Sequence, residues 1–426
     1  MALRCGSGLG NDKRCGYSNR FFRLIYIDKP IKQYYNKNDQ FKIENRERKK
    51  TMQKYDIAAY VWPSYTGTEL RARQFWPDGI GEWQTVMSVP SRMPLKPTDY
   101  EWDRKPVWGC CDEADPKVME MQIDEATKHG VNVFIYDWYW YDRRPFLEQC
   151  LDNGFLGASN NEKMKFYIMW ANHNANYTWD VRLSDLVGKD RDTTIWSGQV
   201  DRKEFEIVAH RMIEKYFSRS NYYRIDGKPL FMIYDVNNLI NGLGGIEATR
   251  NALEWFREET IKAGHPGLEL QLAGWGERIS NVSGVDGKRA FSTKEIVPAL
   301  GFDSITNYQF VHFCNMDRDY SEILSDVYAE WARMDVDYDI PYYPHVSIGW
   351  DNNPRFRKFT NVVCKNNTPY LFEQALRKAK EFVDSHNLPT PLITINSWNE
   401  WTETSYLEPD TKYGYGYLEA IKRVFT

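Results

Sequence analysis

From Tyr55 onward, short apolar runs alternate with longer amphipathic ones. The short runs are 57–62, 132–138, 165–171, 229–235, 268–275, 304–310, 343–350 and 392–398. They are read as strands; the last carries β-branched Ile393, Thr394 and Ile395 after the breakers Pro389 and Pro391. Between them, apolar residues recur at three- and four-residue spacing, which predicts helices. The helical candidates are 117–130, 143–152, 203–217, 245–264, 320–336, 370–386 and 415–424. The first carries Val118, Met121, Ile123 and Ala126 and stops at Gly130, a suitable C-terminal cap.

Strand followed by helix, repeated along the chain, predicts an α/β fold, a (β/α)8 TIM barrel. The Pro- and Trp-rich segment 63–115 is then an elaborated first βα loop. Trp62, Asp137, Asn172, Asp235, Trp275, Gln309, Trp350 and Glu400 lie at or just beyond the C-terminal ends of their runs. In a barrel those ends converge on the face that carries active sites. A doubly wound sheet would alternate in the same way, but no GxGxxG follows the first strand.

Residues 1–51 break the pattern. They are basic, rich in Asn, Lys and Arg, and read as an N-terminal extension before a single catalytic domain, 52–426, with Met52 as a candidate start. The apolar stretch 21–27 is too short for a signal-peptide core. No run approaches the ~20 apolar residues of a membrane span. The seven cysteines form no CxxC pair, so neither a disulfide framework nor a zinc site is expected. These features favour a cytoplasmic location, with a periplasmic or secreted one if a leader has been removed.

Composition narrows the chemistry. Of the 426 residues, 42% are hydrophobic, enough for a large core, and the formal net charge of −4 argues against an electrostatic nucleic-acid binder. Aromatic residues reach 15%, with 16 Trp and 28 Tyr, which suits stacking against sugar rings as well as packing.

The most informative stretch is 392–409, LITINSWNEWTETSYLEP. A strand runs directly into Trp398, Asn399, Glu400, Trp401 and Glu403, placing two carboxylates between indoles. Apolar neighbours disfavour the charged form, raise a carboxyl pKa and allow general acid catalysis near neutral pH. Capping a helix or pairing with an Arg is the plainer role for such residues. Glu408 is either a third site carboxylate or a loop brace. Asp137 suits hydrogen bonds to sugar hydroxyls or to backbone amides. Of Trp138, Tyr139 and Trp140, alternate residues must face opposite sides, and Tyr139 is taken as the inward one. Glu82 and Trp83 belong to the long first loop, and Trp350 with Asp351 to a turn after the seventh strand. His173 and His345 lack the partner spacing of metal ligands, so no metal and no cofactor are expected.

At this point the motifs become recognisable. Gly79-Ile80-Gly81-Glu82-Trp83, Phe134-Ile135-Tyr136-Asp137-Trp138-Tyr139-Trp140 and Trp170-Ala171-Asn172-His173-Asn174 occur in order. They are followed by Ile225-Asp226-Gly227-Lys228-Pro229, Gly349-Trp350-Asp351-Asn352 and Asn399-Glu400-Trp401-Thr402-Glu403. In order and spacing the chain resembles the WbsX-like family, related to glycoside hydrolase family 99 with its endo-acting α-mannosidases and α-mannanases. The similarity runs from about Tyr55 to Phe425. It implies a barrel enzyme acting on a complex glycan, with Glu400 as a base on the sugar's own 2-hydroxyl and Glu403 as acid/base, through a 1,2-anhydro sugar. The residues expected to contact sugar are Glu82, Trp83, Asp137, Tyr139, Trp170, Asn172, His173, Asp235, Trp275, Trp350, Asp351, Asn399, Trp401 and Glu408. The chain departs from the pattern at His173, where the family often has Glu, and at Thr404, where Gly is usual.

Two other functions compete. A glycosyltransferase or transglycosidase of surface-polysaccharide synthesis is one; Asp335-Val336-Asp337 has DxD spacing but ends a polar helical run. A non-catalytic carbohydrate-binding protein is the other, and it has no use for an acid/base pair.

Overall fold

The computed structural model describes residues 54–426 except 90–96, 98–99, 277–278, 284–289 and 357. The expected extension 1–51 and Met52 lie outside the described residues. Eight parallel strands form the barrel: β1 (Asp56–Val61), β2 (Val133–Tyr141), β3 (Lys165–Trp170), β4 (Lys228–Ile233), β5 (Glu269–Gly274), β6 (Ser304–Asn307), β7 (His345–Ser347) and β8 (Leu392–Asn396). The order is β6-β5-β4-β3-β2-β1-β8-β7. A parallel bridge between Ile305 and Tyr342 brings β6 beside the residues entering β7 and closes the ring. The β1–β8 register pairs Asp56 with Leu392 and Ala59 with Ile395.

Helices cover the outside. They are α1 (Pro116–Lys128), α2 (Arg202–Arg211), α3 (Ile246–Lys262), α4 (Thr293–Leu300), α5 (Tyr320–Asp337), α6 (Pro369–Ser385) and α7 (Gly416–Phe425). Their starts follow capping chemistry. Asp115 accepts from the Lys117 amide with Pro116 at the first helical position, and Ser292 and Glu295 form a reciprocal capping box. With helices outside and side chains inside, strands are buried on both faces, as all nine residues of β2 are.

Three expectations need correction. The helix expected over 143–152 is absent: β2 runs on to Tyr141 and turns back through Asp142 and Arg143 into a hairpin strand, Arg144–Phe146. Both turn residues are left-handed (φ 50° and 61°), as a two-residue hairpin loop demands, and only Cys150–Phe155 then coils, as a wide π turn. The helix expected over 203–217 gives way to a π turn after Arg211. And α4, eight residues long and interrupted by Pro298, was too short for periodicity to reveal.

The barrel interior is unusually polar. Tyr60 of β1 donates to the Asn307 carbonyl (3.0 Å), Tyr167 of β3 to Gln271 Oε1 of β5 (3.3 Å), and Thr306 of β6 pairs with Thr394 of β8 (2.7 Å). His345 bonds Thr394 (2.9 Å) and Ser347 (2.9 Å), as the single hydrogen-bonding group expected of it. These groups satisfy one another, the condition under which buried polar atoms are tolerated. The first loop packs into the C-terminal face: Trp62, Trp76, Trp83 and Glu82 are all buried.

Candidate active site

Beyond β8 the chain makes a tight hairpin. Asn399–Glu400 pairs antiparallel with Ser405–Tyr406, and a 3₁₀ turn, Trp401–Glu403, joins them. With three residues per turn, positions i and i+3 superpose, so Glu400 and Glu403 come to one side. Thr404 closes the hairpin in the left-handed region (φ 57°, ψ 34°), where a β-branched residue is strained by about 1–2 kcal/mol. Its hydroxyl offsets the strain, donating to the Asp351 carbonyl (3.0 Å) and accepting from the Trp102 indole (2.9 Å). Thr404→Val keeps the branch and loses both bonds; an equilibrium urea denaturation is expected to show a loss of about 1–3 kcal/mol.

Both carboxylates are held by one guanidinium. Arg355, in the loop after β7, donates from Nη2 to Glu400 Oε1 (2.8 Å) and from Nη1 to Glu403 Oε1 (2.7 Å). Its Nε reaches Thr402 Oγ1 (2.9 Å) and, more distantly, Glu82 Oε1 (3.4 Å). Glu82 is fixed in turn by Thr402 (2.9 Å), Ser64 (3.1 Å) and the Trp62 indole. On the other side, Tyr308 after β6 lies between Asp137 Oδ2 (2.9 Å) and Glu400 Oε2 (3.1 Å).

Glu400 and Glu403 share one guanidinium in a buried site, and burial disfavours ionising both. Burial pushes Glu400 well above the usual carboxylate range; Glu403 adds to the push and Arg355 opposes it. Burial also raises Glu403, against the pull of Arg355, and raises Asp137. Tyr308 has one hydroxyl proton and two carboxyl neighbours, so when both contacts are hydrogen bonds, one neighbour carries a proton. Asp137 Oδ1 and Glu403 Oε2 are buried and have no hydrogen-bond partner among the described residues. Burial holds His173 below its ordinary value and hence neutral.

These groups line a cavity of about 370 Å³ with Trp62, Tyr139, Trp179, Tyr234, Asp235, Trp275 and Asn238. Of the expected residues, Glu400, Glu403, Asp137, Tyr139, His173, Asp235 and Trp275 meet here. Asp235 also caps the helix Val236–Leu243, accepting from the Asn238 amide (2.9 Å). Trp138 and Trp140 stack on each other away from the cavity and donate to Glu148 and Glu204, as strand alternation requires.

The remaining expected contacts lie elsewhere. Glu82 sits behind Arg355 rather than on the cavity wall. Trp83 packs against Tyr65 and Trp401 and donates to the Cys111 carbonyl. Trp170 faces outward onto Phe205 of α2, because its neighbours Met169 and Ala171 face in. Asn172 ties the ends of β3 and β4 together through the Asp235 backbone (2.7 Å to both N and O). Asn399 binds the Trp62 backbone and Glu113, while Trp401 stacks on Tyr406 and donates to Glu408. Glu408 is therefore a brace. Trp350 does not line the cavity; Asp351 lines a separate cavity of about 840 Å³ with Tyr100, Trp102 and Arg104. In the DxD-like run, Asp337 pairs with Lys294 (2.8 Å) and Arg333 (2.8 Å), and Asp335 with His386 (3.4 Å), at the end of α5.

The sequence reading missed Arg355, Tyr308, Tyr234 and Trp179. One signal pointed to the first of these: several carboxylates converging in a dry site require a cation, and Arg355 follows the Gly349–Asn352 motif closely.

Comparison with known proteins agrees with this architecture. Two solved structures share the fold: a glycoside hydrolase-like protein (14% identity, 88% of this chain and 95% of that one, TM-score 0.54) and the GH99 endo-alpha-mannosidase from Bacteroides thetaiotaomicron (14%, 86% and 95%, 0.52). The uncharacterized protein WxcX from two strains of Xanthomonas campestris pv. campestris is 26% identical over 365 residues, 83% of this chain. The match spans about half of that relative, 47% of its length. The family model described as glycosyltransferase WbsX matches residues 57–421, from β1 into α7. The chain belongs to the WbsX family.

Proposed function

We propose that this protein is a glycoside hydrolase that cleaves a complex glycan with retention, using Glu400 and Glu403. The observation that carries the reading is the pair itself: two carboxyl groups on one 3₁₀ turn, facing one aromatic-walled cavity and raised in pKa by burial. A raised carboxyl supplies a proton to a leaving oxygen at a pH where an ordinary one has none to give. The indole and phenol walls suit the C–H faces of a pyranose.

In the proposed sequence Glu400 takes the proton of the substrate 2-hydroxyl, whose oxygen attacks the anomeric carbon. Glu403 protonates the departing oxygen and then activates the water that opens the 1,2-anhydro sugar. A carboxylate with raised proton affinity is the stronger base once ionised, which suits Glu400. Glu403 must start protonated and Glu400 ionised; burial raises both, and the Arg355 guanidinium opposes that push at each. The two titrate as one unit sharing protons with Tyr308 and Asp137.

The deciding experiment is a screen of purified protein against bacterial, fungal and plant glycans. Release of oligosaccharides in the retained anomeric form is expected, and none from the corresponding 2-deoxy substrate. Cleavage of a 2-deoxy substrate at a comparable rate overturns the 2-hydroxyl route. The pH profile of kcat/KM should fall on its alkaline side as the raised acid loses its proton. Tyr308→Phe removes the bridge between Asp137 and Glu400, and should move that limb and lower kcat by about tenfold to a hundredfold.

The family's description favours a second reading, glycosyl transfer by the same two glutamates. Silence across the glycan panel, with turnover of activated sugar donors onto an acceptor glycan, would select it.

A further inference from the structure

A second pair of buried carboxyl groups lies behind the hairpin and takes no part in the proposed chemistry. Glu113, in the first loop, accepts from Asn399 Nδ2 at both oxygens (2.9 and 3.0 Å) and from Cys150 Sγ (3.6 Å). Glu408 accepts from the Trp401 indole (2.6 Å). Gln122 of α1 joins them, its Nε2 donating to Glu408 Oε1 (2.8 Å) and, at longer range, to Glu113 Oε1 (3.4 Å). Gln122 Oε1 also accepts from the Trp398 indole (3.0 Å). Asn399 and Trp401 are the two sequence neighbours of Glu400.

We propose that Glu113 and Glu408 are positioning residues: bridged by Gln122, they clamp the residues on either side of Glu400, fixing the catalytic carboxylate from behind. This rests on the functional reading above only in calling Glu400 catalytic; the clamp itself is a matter of geometry. Asn399 is gripped from two directions, since its amide also brackets Trp62, accepting from that residue's backbone N–H (2.8 Å) and donating to its carbonyl (2.9 Å). A change at Glu113 is therefore passed both to the Glu400 backbone and to the end of β1.

The charge environment makes the clamp sensitive to pH. Among the described residues neither Glu113 nor Glu408 has an ion pair; their partners are amides, an indole and a thiol. The titratable groups facing them are acidic or neutral: Asp112, Cys111 and Tyr65 from the first loop, Cys150 from the π turn, and Tyr136 from β2. Two carboxylates placed together without a cation do not both ionise readily. Burial pushes Glu113 up to about 7 and, with Glu113 beside it, Glu408 well above the usual range. Around neutral pH the pair therefore passes from two protons toward one. The hydrogen bonds on both flanks of Glu400 change as it does.

The test reads the clamp directly, without a substrate. Protein labelled with ¹⁵N at tryptophan indoles is titrated from pH 5 to 9, with the Trp401 signal assigned by Trp401→Phe. The indole resonance of Trp401 is expected to move with a midpoint near 7. That step should vanish in Glu113→Gln while circular dichroism and the thermal midpoint at pH 5 stay close to wild type. A Trp401 signal that is flat across the range, or one that titrates unchanged in Glu113→Gln, overturns the proposal. Once a turned-over glycan is known, Glu113→Gln should lower kcat with KM held and shift the alkaline limb. An unchanged profile also overturns it. If no glycan is turned over, the indole titration still decides the clamp, and the failure falls on the functional reading alone.

Discussion

Glu403→Gln is expected to lower turnover by about 10²–10⁴-fold on any glycan the enzyme cleaves, with little change in fold. The amide keeps the shape and can still meet Arg355 through its oxygen, so the 2.7 Å contact to Nη1 is preserved in kind. What it loses is the exchangeable proton, the property that burial has tuned. Substrates with a very acidic leaving group, such as dinitrophenyl glycosides, need little protonation; on them the variant's bond-breaking step should be much less impaired. Glu400→Gln lacks that escape, because a base is needed whatever the leaving group. Comparing the two variants on natural and activated substrates thus separates the roles. Equal losses on both substrates for both variants would refute the assignment.

Arg355→Met should destabilise the fold by about 3–5 kcal/mol, a large share of the roughly 5–15 kcal/mol that holds a typical protein together. Removing the guanidinium leaves Glu82, Glu400 and Glu403 buried without their cation. The effect has a sign in pH. Without Arg355 the folded-state pKa values of Glu400 and Glu403 rise further above their unfolded values, near 4.3. The stability these groups carry is fully present below the unfolded pKa. It is lost as pH rises through that value toward the folded one. Urea denaturation at pH 5 and pH 8 should therefore show the larger deficit at pH 8. Arg355→Lys restores charge but cannot fork to two carboxylates, and should fall between Met and wild type. A deficit independent of pH would mean that Arg355 acts by packing alone.

The eight strands were legible because short apolar runs alternate with segments of helical spacing along the chain. The 143–152 helix misled because its apolar spacing says nothing of the left-handed turn at Asp142 and Arg143, which a hairpin requires. The glutamate pair was legible because both members lie in one loop between indoles, a local signal. Arg355 and Tyr308 were not, since their meaning arises only where the ends of β6, β7 and β8 converge. The tryptophans failed differently. Trp170 and Trp275 are equally apolar at their strand ends, and only alternation fixed in three dimensions tells which faces the cavity; Trp83 and Trp401 lie in loops, where no periodicity applies.

The hydrogen-bonded layer inside the barrel bears on how such a fold can be rebuilt. Tyr60 to Asn307, Tyr167 to Gln271 and the grip of β1 on β8 all join the first four strands to the last four. Barrels filled with aliphatic side chains tolerate exchange of halves, because one oily surface meets another with modest loss. Here the Tyr167 phenol of one half is answered by the Gln271 side chain of the other, whereas Tyr60 meets a backbone carbonyl that any barrel strand can offer. A chimera joining residues through β4 of this chain to the second half of a distant barrel would orphan the Tyr167 phenol at the seam. Recombination should succeed best when Tyr167 and Gln271 travel together.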